Sequence, residues 1–175
     1  SLAIITYGAE PMDPSTLARV NETFPGVRIN QKYGTTETGA PRTVSRGSDS
    51  LWVQLGGAGV ETRIDPGGVL WIRGAGTLLG YLNAASPIDS DGWFCTGDLV
   101  ECDGPWLRIL GRASDVINVG GEKVSPADVE RVILELEWVA AASVSGQSHP
   151  LMGQVVTARV SLVEGTDPAA AERRV

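Results

Sequence analysis

Apolar residues follow three different rhythms along the chain. The opening run SLAIITYG is apolar without alternation, the pattern of a strand buried on both faces of a parallel sheet. Asp13 and Pro14 then start a helix whose Leu17, Val20 and Phe24 share one face, and GVRINQKYG returns as a second strand. Residues 1–47 therefore predict a strand–helix–strand piece of an α/β sheet. Over residues 48–111 the rhythm shortens to brief strands separated by DPGG at 65–68, SDG at 90–92 and CDGP at 102–105. These predict antiparallel hairpins or a small β-barrel-like subdomain. From residue 112 onward, Gly120 and Gly121 suit a tight hairpin, and Ser125, Pro126 and Asp128 form a capping signature. Val129, Val132, Ile133 and Leu136 follow as the apolar stripe of a helix. VAAASVSG and QVVTARVSLV predict strands, which makes residues 112–175 a small α+β unit, and Asp167 with Pro168 marks a further helix start. Both ends look cut from a longer chain: the first strand lacks neighbours and the last helix stops soon after it starts.

Composition removes several classes of function. The 175 residues, 42% of them hydrophobic, can bury a core, and length alone favours about one domain. Fourteen Lys and Arg stand against 21 Asp and Glu, a net charge of -7, so a broad nucleic-acid footprint is excluded and any anion is held locally. Two cysteines, Cys95 and Cys102, and one histidine supply neither a disulfide framework nor a zinc site, which fits reduced thiols in a cytoplasmic protein. No apolar run approaches a membrane span and no leader precedes the first element, so a soluble cytoplasmic chain is expected.

The stretch QKYGTTETGA at 31–40 gathers amides, hydroxyls and one carboxylate between two glycines at the end of a strand. Such a turn can face a phosphate, with Glu37 holding magnesium against it. It can equally be a capped turn, since Thr and Glu also satisfy helix N-termini.

Four stretches in order, TYGAEP at 6–11, YGTTETG at 33–39, TGDL at 96–99 and GRASDVINVGGEKVSPADVE at 111–130, resemble the adenylate-forming superfamily of acyl- and aryl-CoA ligases, luciferases and peptide-synthetase adenylation domains. VLWIRGAGTLLGYLN and HPLMGQVV extend the resemblance over essentially the whole chain, matched to the later part of such an enzyme. It implies the end of a large AMP-binding α/β domain over residues 1–111, followed by a small mobile domain over residues 112–175, incomplete here. Gly8, Ala9 and Glu10 would lie along the adenine, or form a plain strand-to-turn junction. Tyr33, Gly34 and Thr35 would belong to the nucleotide site, with the Tyr33 ring beside the adenine. Thr36 would meet the α-phosphate and Glu37 would hold the metal. Asp98 would accept from the ribose hydroxyls, or merely close the turn after Gly97. Arg112 would stand near ribose and phosphates, or form a surface ion pair. Ser114 would be the hinge, where many relatives carry Asp or Lys. Gly120 and Gly121 would line the pantetheine tunnel and serve as a two-residue turn. His149 is expected in a solvated loop.

The implied reaction joins a carboxylic acid to AMP using ATP and magnesium, then passes the acyl group to CoA or to a carrier-protein phosphopantetheine. GGEKVSP favours the CoA ligases. The family's phosphate loop and its catalytic lysine would lie before Ser1 and after Val175, in the remainder of the same enzyme, so the 175-residue chain by itself is expected not to adenylate. A non-catalytic nucleotide-binding or assembly module is the alternative from another class. Val69 and Gln154 stand where relatives often carry Glu.

Overall fold

Two parallel strands come first in the computed structural model, which describes residues 2–167. Strand β1 (Ile4–Tyr7) pairs with β2 (Arg28–Gln31), Ile4 opposite Arg28 and Tyr7 opposite Gln31. Helix α1 (Pro14–Thr23) connects them, and the Asp13 carboxylate accepts the Ser15 amide at 2.8 Å as its N-cap. Leu17 is buried as its position on the helix requires, whereas Phe24 is exposed. Phe24 is the C-cap, and its non-helical φ of -124° and ψ of 65° take it off the helical face. The doubly buried first strand is also corrected: Ile4 is 50% exposed. Among the described residues β2 is the one strand that pairs with it, so its apolar side chains are left uncovered.

A six-stranded antiparallel sheet follows. Its strands β3 (Arg42–Ser45), β4 (Trp52–Gly56), β5 (Glu61–Ile64), β6 (Val69–Arg73), β7 (Phe94–Asp103) and β8 (Trp106–Arg112) lie in the order β3-β4-β8-β7-β6-β5. All three turn sequences sit where the chain reverses, and Gly68, Gly92 and Gly104 supply the positive φ. Alternation along β6 turns Leu70 and Ile72 into a core shared with Tyr33, Val100 and Leu107. Trp71 takes the opposite side, where Arg63 lies between the Trp71 and Trp93 rings at 4.8 and 4.7 Å and Arg73 covers Trp93 at 4.6 Å. Cation–π stacking of this kind shields rings that the core does not take.

Contacts divide the chain into two units, Ser1–Ala113 and Ser114–Val175. A short 3₁₀ turn, Ala113–Asp115, carries the chain across that division, and Arg112 stays with the first unit as the last residue of β8. In the second unit β9 (Ile117–Val119) and β10 (Glu122–Val124) form the expected Gly-Gly hairpin, with φ of 59° at Gly120 and 99° at Gly121. Helix α2 (Pro126–Leu134) starts at its Ser125 cap and is followed by β11 (Val139–His149) and β12 (Gly153–Leu162), in sheet order β10-β9-β12-β11. The expected stripe is narrower than four residues, since Val132 is exposed. Among the described residues β11 is an edge strand, and the Glu130 carboxylate reaches from α2 to accept the Val144 amide at 2.7 Å. His149 ends β11 instead of lying in a free loop, and its Nδ1 accepts the Leu151 and Met152 amides at 3.3 and 3.2 Å. The helix expected from Pro168 lies outside the described residues. Among those described, no helix is long and apolar enough to cross a membrane.

Candidate functional site

The Thr-rich loop after β2 closes on itself. A Cβ on Gly34 would stand 2.6 Å from the Gly39 carbonyl oxygen, so only glycine lets the two backbones approach this closely. The Thr35 amide donates to that same carbonyl at 3.2 Å, and the Thr35 hydroxyl accepts the Thr38 amide at 3.2 Å. No helix follows, so the capping alternative for this loop is replaced by an internally bonded turn. Thr36 is exposed and Glu37 half-buried at its tip. The Leu78 amide donates to the Glu37 carbonyl at 2.7 Å, and the Tyr81 hydroxyl donates to Glu37 Oε1 at 2.5 Å. That second bond is the largest cause holding the Glu37 carboxyl below its ordinary pKa.

Gly8 and Ala9 shape the end of β1 beside this loop. A Cβ on Gly8 would meet the Lys32 carbonyl oxygen at 2.7 Å, so the space its missing side chain leaves is filled by backbone just ahead of Tyr33. Ala9 holds a φ of 73°, a left-handed conformation that costs a non-glycine residue about 1 kcal/mol or more. Glu10 is exposed.

Tyr33, Asp98 and Arg112, far apart in sequence, meet. Asp98 is 7% exposed and Tyr33 8%, and the Tyr33 hydroxyl donates to Asp98 Oδ2 at 2.6 Å. Burial first, and then the bond to Asp98, pushes the Tyr33 phenol well above its ordinary pKa. The Arg112 guanidinium reaches Asp98 Oδ1 through Nε at 3.0 Å and donates from Nη1 to the Thr96 carbonyl at 2.6 Å. Asp98 stands directly opposite Arg112 in the β7–β8 register, inside the strand and not at a hairpin turn. The positive φ of Gly97, 73°, lies within β7, and the β7–β8 register shifts just beyond, between Leu99 and Val100. Thr96 completes the arrangement, donating to the Leu70 carbonyl at 2.7 Å and accepting the Asp98 amide at 3.0 Å. The pair is one-sided in burial: Asp98 is enclosed, while the Arg112 side chain is 53% exposed.

Two residues escaped sequence reasoning. Thr96 and Tyr81 both lie in quoted stretches, TGDL and GTLLGYLN, yet nothing in their local pattern signals a bond to a residue tens of positions away.

In the second unit, Ser114 lies in the 3₁₀ turn and its hydroxyl donates to Asp115 Oδ1 at 2.9 Å. The two hairpin glycines differ. A Cβ on Gly120 would meet Met152 Cε at 2.7 Å, whereas a Cβ on Gly121 would find nothing within 4 Å. The Gly121 side of the hairpin is therefore open.

No group of three or more His, Cys, Asp or Glu side chains gathers among the described residues. A cation held by protein ligands alone does not fit. Magnesium does fit the charged, half-buried Glu37, because it is commonly bound through one or two carboxylates together with phosphate oxygens and water.

No family model matches the chain. It is 32% identical over 173 residues to a long-chain-fatty-acid–CoA ligase of Yersinia pestis, covering 89% of this chain and 31% of that protein. It is also 36% identical over 159 residues to a naringenin synthase of Pestalotiopsis fici, covering 80% of this chain but 6% of the relative. The o-succinylbenzoate CoA synthetase of Bacillus subtilis, solved with an acyl-adenylate intermediate, superposes with a TM-score of 0.75 at 27% identity, over 98% of this chain and 40% of that one. The chain thus spans about a third, or much less, of the length of these curated relatives.

Proposed function

Because the chain belongs to the adenylate-forming superfamily, with acyl- and aryl-CoA ligases among its relatives, we propose that it forms the nucleotide-binding side of an ATP-dependent acid–thiol ligase. The observation that carries this reading is the meeting of Tyr33, Asp98 and Arg112, three residues the resemblance had assigned to one nucleotide. In the proposed reaction a carboxylate oxygen attacks the α-phosphorus of ATP and pyrophosphate leaves. A CoA thiol then attacks the acyl carbon, AMP departs with the bonding electrons, and the thiol proton passes to solvent.

The residues here divide that work. Asp98, fixed from both sides, accepts from the ribose hydroxyls, and Arg112 adds positive charge beside it. Gly8, Ala9 and Glu10 border the adenine, and the Tyr33 ring lies beside it. Thr36, exposed at the tip of a rigid loop, donates to the α-phosphate, where charge develops as the phosphorus is attacked. Glu37 would hold magnesium, which neutralises phosphate charge when bound. Ser114 is the hinge residue whose backbone dihedrals differ between the two half-reactions, and the open side of Gly121 is the path of the pantetheine arm.

The test uses the intact protein, a panel of aliphatic and aromatic carboxylic acids, ATP and magnesium, with pyrophosphate as readout. Acid-dependent release is expected, followed by thioester formation with free CoA in preference to a holo carrier protein. Asp98→Asn should raise the KM for ATP at least tenfold. A folded protein that binds ATP yet releases no pyrophosphate with any acid would make this a binding module instead.

A further inference from the structure

Glu37 sits on an internally bonded loop, and its carboxylate takes bonds from its own backbone amide and from Thr35, with the largest contribution coming from a partner outside the loop. That partner is Tyr81, whose hydroxyl donates to Oε1. Two contacts bring the Tyr81 segment there: the Leu78 amide on the Glu37 carbonyl at 2.7 Å, and a turn closed by the Thr77 amide on the Gly74 carbonyl at 3.1 Å. Packing does not explain the placement. Tyr81 is itself 45% exposed, and Leu79 and Leu82 on either side are fully exposed, so no apolar cluster draws this segment onto the loop.

We propose that Tyr81 is a positioning residue for Glu37, holding its carboxylate in one orientation toward a divalent cation bridged to the nucleotide phosphates; this rests on the metal role given to Glu37 above. A carboxylate at a loop tip without a fixed donor samples several rotamers, and a donor fixed to Oε1 selects one of them before the cation arrives. Hydrogen-bond partners of ligating carboxylates contribute about 10–100-fold to metal affinity.

The experiment measures Mn²⁺ binding by electron paramagnetic resonance in the intact protein with a non-hydrolysable ATP analogue, for Tyr81→Phe, Tyr81→Ala and Glu37→Gln. Tyr81→Phe should weaken Mn²⁺ about tenfold, leave analogue binding in EDTA and the melting temperature unchanged, and lose no more than Tyr81→Ala. In turnover, the same variant should need more magnesium for half-maximal pyrophosphate release and recover kcat when magnesium is saturating. Unchanged or tighter Mn²⁺ binding in Tyr81→Phe, beside weakened binding in Glu37→Gln, overturns the positioning role. So does an effect confined to Tyr81→Ala, which would mean loop packing. Unaltered binding in Glu37→Gln overturns the metal role of Glu37 and this inference with it.

Discussion

Asp98 is gripped from two sides, a phenol on one oxygen and a guanidinium on the other, and this makes Tyr33 more than a ring. Its hydroxyl is placed in the core to orient a carboxylate, so Tyr33→Phe keeps the aromatic surface and removes only the bond. A hydrogen bond to a charged group contributes about 1.5–3 kcal/mol, and Tyr33→Phe should lose that much in urea unfolding and weaken AMP binding in calorimetry. A ring that served only by stacking would leave both unchanged. The phenol also predicts a pH dependence. Its pKa is raised in the fold above the unfolded value of about 10, so the unfolded chain gives up the proton first. The stabilisation is complete below about pH 10 and falls as pH rises beyond it; urea midpoints followed through that range should decline in the parent and less so in Tyr33→Phe.

Elements show where the sequence was informative. The Gly-Gly hairpin, the Asp13 and Ser125 caps and the turns of the six-stranded sheet were legible because each rests on local backbone chemistry: positive φ, an N-cap oxygen, a reversal. The resemblance gave Tyr33, Asp98 and Arg112 separate roles toward a nucleotide, but their bonds to one another were not legible, since register between distant strands leaves no local mark. Tyr81 and Thr96 left none at all. Burial was misjudged at Ile4 and Val132 because apolar periodicity says which side chains share a face, not whether anything covers it. The hairpin glycines carry a sharper expectation. Gly120→Ala and Gly121→Ala each place a Cβ at positive φ, for about 1 kcal/mol, but Gly120 at 59° sits in the left-handed basin and meets only the mobile end of Met152, whereas Gly121 at 99° lies outside that basin. In thermal melts Gly121→Ala should be the more destabilising, and Met152→Ala should change the effect of Gly120→Ala by no more than about 0.5 kcal/mol in a double-mutant cycle.

For the molecule as a whole, the division at Ser114 suggests how one chain could serve two half-reactions. Proline fixes φ near about -65° and removes an amide, so Ser114→Pro in the intact protein should retain acyl-adenylate formation and lose transfer to CoA by orders of magnitude in single-turnover measurements. Equal loss of both steps at unchanged melting temperature would leave Ala113–Asp115 an ordinary linker. The second unit also has a consequence for crowded solution. Among the described residues its sheet ends on the long strand β11, an eleven-residue edge of the kind that another strand can extend. Glu130 already occupies the Val144 amide in the middle of that edge. An incoming strand would have to displace that carboxylate, so the helix side chain that joins α2 to β11 also occupies part of the edge on which another molecule could add.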